Sequence, residues 1–196
     1  MKKIALTICT ILILSAFTFI YVDTCKAYTK TSQLVWRAEK VNAKQFGNVK
    51  IESDELRNNY DGRFVDENFI INMSSITNLD IESNQYKAML VDYLKSSKFF
   101  DVDKYLKAIF KLIRSTPLEN KFNLLRQLNI RGNIGPINIP IHLENQDNGN
   151  IIVSRVCRFN RTKFGLIYGS NSFFNNLRDE AISSIINLEF EIVLEK

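Results

Sequence analysis

Few side chains in this sequence are of the kind that do chemistry, and none stands at a working spacing. His142 is the only histidine. It falls on the polar phase of an alternating stretch with no second ligand or nucleophile beside it, so it reads as a surface residue rather than an acid–base catalyst. Asp101-Val102-Asp103 places two carboxylates in a segment after a helix, which reads as solvated because a hard cation needs six or more oxygens. Cys157 stands in phase with Ile151, Val153 and Phe159 and reads as a small core hydrophobe. Arg155 interrupts that row and is the one charged residue read on an inner phase, suited to a carboxylate or a polar ligand group. No glycine-rich phosphate loop, zinc-spaced His/Cys cluster or Gly-x-Ser-x-Gly elbow occurs. The text indicates no enzyme, metal or cofactor.

The positive signal is alternation. Ile186, Leu188, Phe190, Ile192 and Leu194 take every second position, against Asn187, Glu189, Glu191 and Glu195. A period of two puts one face of a strand against something apolar and the other in water. Seven further segments share that period, around Leu34–Ala38, Phe46–Ile51, Phe69–Met73, Ala108–Leu112, Phe122–Ile130, Ile137–Leu143 and Ile151–Phe159. Tyr86, Met89, Leu90, Tyr93 and Leu94 have helical spacing behind a Ser83 cap, and a second helix is expected over Ser172–Ser184, burying Phe173, Leu177, Ala181 and Ile185. The expected fold is all-β: about eight antiparallel strands and two short helices, stacked as a sandwich or closed as a barrel. Closure is favoured because it removes unpaired edges.

The 196 residues suit one domain with a filled core, and an apolar share of 45 % with a charged share of 24 % argues against wholesale disorder. Met1-Lys2-Lys3, the uncharged run Ile4–Val22 and the exit Cys25-Lys26-Ala27 read as a signal peptide over residues 1–27, followed by a domain over 28–196. A retained anchor, or a lipoprotein using Cys25, are the alternatives, and all three export the domain. Loss of Lys2, Lys3, Lys26 and Asp23 lowers the net charge of +5 by two. The remaining cations are scattered, so no nucleic-acid footprint is present. Cys157 is then the one thiol clearly within the domain, and no internal disulfide is expected.

Particular residues add a resemblance. Asn72-Met73-Ser74-Ser75-Ile76, then Leu94-Lys95-Ser96 with Phe99-Phe100-Asp101-Val102, then Ala108-Ile109-Phe110 resemble, in that order, the YceI-like family of exported lipid-binding proteins. Leu128-Asn129-Ile130-Arg131-Gly132, Ile139-Pro140-Ile141, Arg161-Thr162-Lys163-Phe164-Gly165-Leu166 and Gly169-Ser170 continue the match. The family's usual residues are replaced by Phe46, Tyr93, Leu106, Arg126 and Asn160, which bears on polar head-group contacts more than on the barrel. The resemblance implies an extended lipocalin-like barrel around a long-chain isoprenoid lipid or quinone tail, in a periplasmic or secreted protein that is not an enzyme. It is compatible with transient membrane contact and with a homodimer.

On that reading the tail-contacting residues are Phe69, Ile71, Met73, Phe110, Ile139, Ile141, Val153, Phe159 and Phe190, with Arg155 as the polar contact. Pattern alone does not separate a hollow barrel from one filled by its own side chains; the resemblance favours hollow. An envelope interaction module without a tightly held lipid is the alternative function.

Overall fold

The alternating rows pair edge to edge into a single antiparallel sheet that closes on itself. Residues 23–27, 32–40, 42–58, 64–118, 121–146, 149–174, 177 and 181–195 are described in the computed structural model; the side chains of 23–27, 53–58, 64–67, 117–118, 121–122, 143, 145–146, 149–155 and 194–195 are not. The strands are β1 (Asp23–Ala27), β2 (Gln33–Lys40), β3 (Ala43–Asn58), β4 (Phe64–Asn72), β5 (Lys107–Leu118), β6 (Lys121–Ile130), β7 (Asn133–Gln146), β8 (Gly149–Asn160) and β9 (Ile182–Glu195). From β3 the order runs β2, β9, β8, β7, β6, β5, β4, and β4 pairs back to β3. Eight positions therefore close the barrel. β1 lies between β3 and β9, as β2 does, so the two short strands share one position. Of the segment read as a signal, residues 1–22 lie outside the described residues.

The inward rows are those the alternation marks. Ile186, Leu188, Phe190 and Ile192 on β9, Ile137, Ile139 and Ile141 on β7, and Ala108 and Phe110 on β5 are all buried. On the outer face, Arg37 of β2 holds Glu189 of β9 through two hydrogen bonds of 2.9 and 3.1 Å.

The row on β8 differs from its sequence reading. Ser154 pairs with Phe190 and Cys157 with Leu188, three residues against two. This is a bulge, and one extra residue reverses the phase of everything beyond it. Ile151–Phe159 is thus two rows joined at residues 155–156. Val153 pairs with Glu191, which is exposed.

One α-helix, α1 (Asn84–Lys95), lies among the described residues, with the Ser83 hydroxyl accepting from the Tyr86 N–H as its cap. Only the lower part of its apolar stripe packs. Leu94 is buried and Leu90 and Tyr93 pack partly, whereas Tyr86 and Met89 are exposed. The second expected helix does not extend over its described residues: 171–173 are a turn and Ile182–Ser184 already belong to β9, while 175–176 and 178–180 lie outside the described residues. Phe173, assigned to its buried face, is exposed, while Ala181 is buried.

Cys157 is fully buried, with Sγ 3.7 Å from the carbonyl of Asn138. Burial pushes its thiol up to about 12, and the positive charge of Arg126 works the other way. A raised acid ionises first in the unfolded chain, so this contribution to stability is intact below the ordinary thiol value of 9.0 and is lost as pH climbs toward 12. Folded protein at pH 8 is expected to resist iodoacetamide until denaturant is added. Rapid alkylation of Cys157 itself, located by peptide mapping, without denaturant would contradict the burial.

Candidate functional site

The barrel end carrying α1 is built by the long β4–β5 connection. After a 3₁₀ turn at Met73–Ser75, residues 75–80 run along the stretch of β3 that β4 does not reach. Thr77 N donates to Asn48 O and Leu79 N to Phe46 O, both at 2.9 Å. Lys50 N donates to Ser75 Oγ at 2.7 Å and Phe46 N to Asp80 Oδ1 at 2.8 Å. These bonds satisfy an otherwise open ladder edge. Trp36 of β2 ties the same strap inward, its Nε1 donating to Thr77 O at 3.0 Å. Below the strap, Leu94, Phe99 and Phe100 close the end of the barrel.

Under this cap lies a space of about 70 Å³ with no polar surface. Ile71, Met73, Phe110 and Phe159 line it, together with Trp36 and Leu94. A second space of about 10 Å³ lies beside Phe69, Phe110, Ile139 and Phe190, and Leu34 and Phe110 belong to both walls. The middle of the barrel is packed with rings. Phe69 meets Phe110 edge-on at 5.9 Å and Phe190 at 6.2 Å between centroids. Among the expected contacts, Ile141 is buried but lines neither space. The side chains of Val153 and Arg155 lie outside the described residues, Arg155 falling within the β8 bulge.

Over its described residues the barrel is therefore closed but largely filled, not hollow. A cavity that admits benzene measures about 150 Å³. A forty-carbon chain, at roughly 25–30 Å³ per water-sized carbon group, needs on the order of 1000 Å³. Cargo of that size enters only by displacing side chains.

Three polar side chains shape the site. Arg126 of β6 is 6 % exposed and points inward between Leu124 and Leu128, beside Phe69, Phe110, Ile139 and Phe190. The sequence alone offers Arg155 as the inner cation and does not mark Arg126 as inward. The signal was a gap in the Phe122–Ile130 row, where position 126 shares the phase of 124 and 128. Arg161, in the 3₁₀ turn Arg161–Phe164, is fully buried at the capped end. Its guanidinium donates to the carbonyls of Ser183 (2.8 Å), Ile182 (3.0 Å) and Leu166, and lies 5.8 Å from the Phe99 ring centre. Burial pulls its pKa below the ordinary arginine value. Tyr93 of α1 lies 5.1 Å from Tyr168 between rings. Burial, then Tyr168, pushes its hydroxyl upward.

An apolar, capped space with no assembled acid, base or nucleophile can hold a hydrocarbon chain. Among the described residues no group of three His, Cys, Asp or Glu could bind a metal.

Comparison with known proteins agrees with this architecture. The model of the YceI-like domain matches residues 26–194. The crystal structure of BcnA from Burkholderia cenocepacia superposes with a TM-score of 0.70 at 17 % identity, covering 85 % of this chain and 98 % of that one. A polyisoprenoid binding domain from Saccharophagus degradans, implicated in plant cell wall breakdown, gives 0.62 at 12 % identity over 87 % and 97 %. A mutant of the Campylobacter jejuni YCEI protein gives 0.54 at 16 % identity over 100 % and 99 %. No curated protein matches the chain in sequence.

Proposed function

The chain belongs to the YceI-like family, and from that premise we propose that it is an exported binding protein for an isoprenoid lipid or quinone tail. The observation that carries this reading is the apolar space beneath α1, walled by Trp36, Ile71, Met73 and Phe110. The polyisoprenoid binding domain with the same fold supports the class of ligand.

Energetics give the role. Taking an isoprenoid tail out of water is worth about 0.8 kcal/mol per carbon, but a bilayer offers the same gain. The bilayer, not water, is therefore the competitor, and net preference for the barrel is small. Parting Phe69, Phe99, Phe100 and Phe110 to admit cargo reduces it further. A marginal preference suits a protein that stores or transfers its lipid and then releases it. Export rests on the basic start and apolar run of residues 1–22.

Mass spectrometry of organic extracts from natively purified protein is expected to find an isoprenoid at near one equivalent. Trp36, the only tryptophan, should change its emission when stripped protein is refilled. Extracts without lipid, together with an emission indifferent to added prenols, would sink the reading. Cell fractionation tests export separately, the expected result being protein outside the cytoplasm.

A further inference from the structure

We propose that Arg126 is the floor of the tail site, so that this barrel takes an isoprenoid chain of only two to three units; the inference rests on the tail-binding reading above. The two interior spaces lie one below the other, sharing Leu34 and Phe110 in their walls. The upper one reaches the cap through Leu94, Phe99 and Phe100. The lower one is lined by Arg126 and is otherwise apolar. A chain entering beneath α1 and running down the barrel meets the guanidinium there.

Depth follows from the strand. Arg126 stands four residues in from Ile130, the last residue of β6 at the capped end. At about 3.3 Å per residue and a tilt near 40°, that is about 10 Å along the barrel axis. The cap adds a few ångströms more. A staggered carbon chain advances about 1.3 Å per bond, so the depth above the floor matches roughly eight to twelve bonds once the side chains around the upper space part to admit them.

Two properties of the residue make it a stop rather than a passable wall. A guanidinium carries five N–H donors, and a hydrocarbon accepts from none of them. A chain sliding past would therefore strip the cation of polar surroundings and offer nothing in return. Bulk acts with charge. Phe69, Phe110 and Phe190 crowd the same level and leave about 10 Å³.

Trp36 lines the upper space and reports entry directly. Stripped protein is titrated with a three-unit prenol and a nine-unit prenol from identical detergent micelles, following Trp36 emission. The native chain is expected to bind the short prenol at least tenfold more tightly. Arg126→Ala is expected to gain tenfold or more for the long prenol, with the short one changed less than threefold. Arg126→Met, which keeps length and drops charge, carries the comparison if the alanine variant does not fold. Equal binding of both chains by the native protein, or an Arg126 variant with an unchanged preference, overturns the stop. Silence toward both prenols in every variant instead removes tail binding itself, and the stop with it.

Discussion

Arg161→Met is expected to lower the unfolding free energy by about 3–5 kcal/mol, enough to consume much of the stability of a domain this size. The guanidinium is fully buried and donates to the carbonyls of Leu166, Ile182 and Ser183. Those acceptors belong to two stretches far apart in sequence, the loop after the 3₁₀ turn and the first residues of β9. Hydrogen bonds to a charged group contribute roughly 1.5–3 kcal/mol each, and a stranded buried acceptor costs about 1–3. Exchanging a buried ion pair for apolar residues is often harmless because both partners leave together. Here the partners are backbone carbonyls and cannot leave. Arg161→Lys should recover only part of the loss, since one ammonium does not span three carbonyls set out for a planar fork. Urea unfolding followed by circular dichroism measures both variants. A methionine variant within 1 kcal/mol of the native chain would show that water or a shifted β9 satisfies these carbonyls.

The same contact explains what the sequence left hidden. Alternation is a local signal, and where a strand faces core on one side and water on the other it is reliable. The rows at Ile137–Ile141 and Ile186–Ile192 were legible for that reason, as was α1 behind Ser83. The start of β9 has no such contrast. Ile182-Ser-Ser-Ile185 lacks a clean period of two, and its carbonyls are taken by Arg161, a partner twenty residues away that no local pattern announces. Phe173, Leu177 and Ala181 meanwhile sit at helical spacing, which outweighs the strand signal of 182–184 and extends the expected helix into β9. Arg126 was missed for a different reason. Apolar residues alone define an alternating row, and a cation in an inward position looks like a gap rather than a member. On β8 the period failed because a bulge adds one residue, something alternation registers only as a defect. Filling, too, lay beyond the text. Whether inward rings line a channel or meet each other depends on radius and ring orientation, and here Phe69 meets both Phe110 and Phe190.

Gly47→Ala, the addition of a single methyl group, is expected to cost a comparable 3–5 kcal/mol through the displaced strap and its lost hydrogen bonds and to disturb the candidate site at the same time. Gly47 has no left-handed backbone to preserve; it is needed for room. A Cβ there would stand 1.8 Å from the Thr77 carbonyl oxygen, 2.7 Å from its carbon and 2.9 Å from Asn78 Cα. All three are backbone atoms, so no rotamer change relieves the clash and the strap over residues 75–80 must lift. Lifting it breaks the bond from Thr77 N to Asn48 O and the one from Trp36 Nε1 to Thr77 O. Gly47 is also the cross-strand partner of Trp36. The indole loses its acceptor just where its ring walls the upper apolar space, and Ile76 in the strap walls that space too. Stability and cargo affinity should therefore fall together, with a red shift of Trp36 emission as solvent reaches the ring. Gly132→Ala is the informative contrast. Its φ of +73° and the Tyr105 ring 2.9 Å away make that change strained as well, but it touches neither the strap nor Trp36. It should destabilise without moving the indole spectrum. A Gly47→Ala protein that melts like the native chain with unshifted emission would mean that the strap rides clear of β3, and the cap would have to be redrawn.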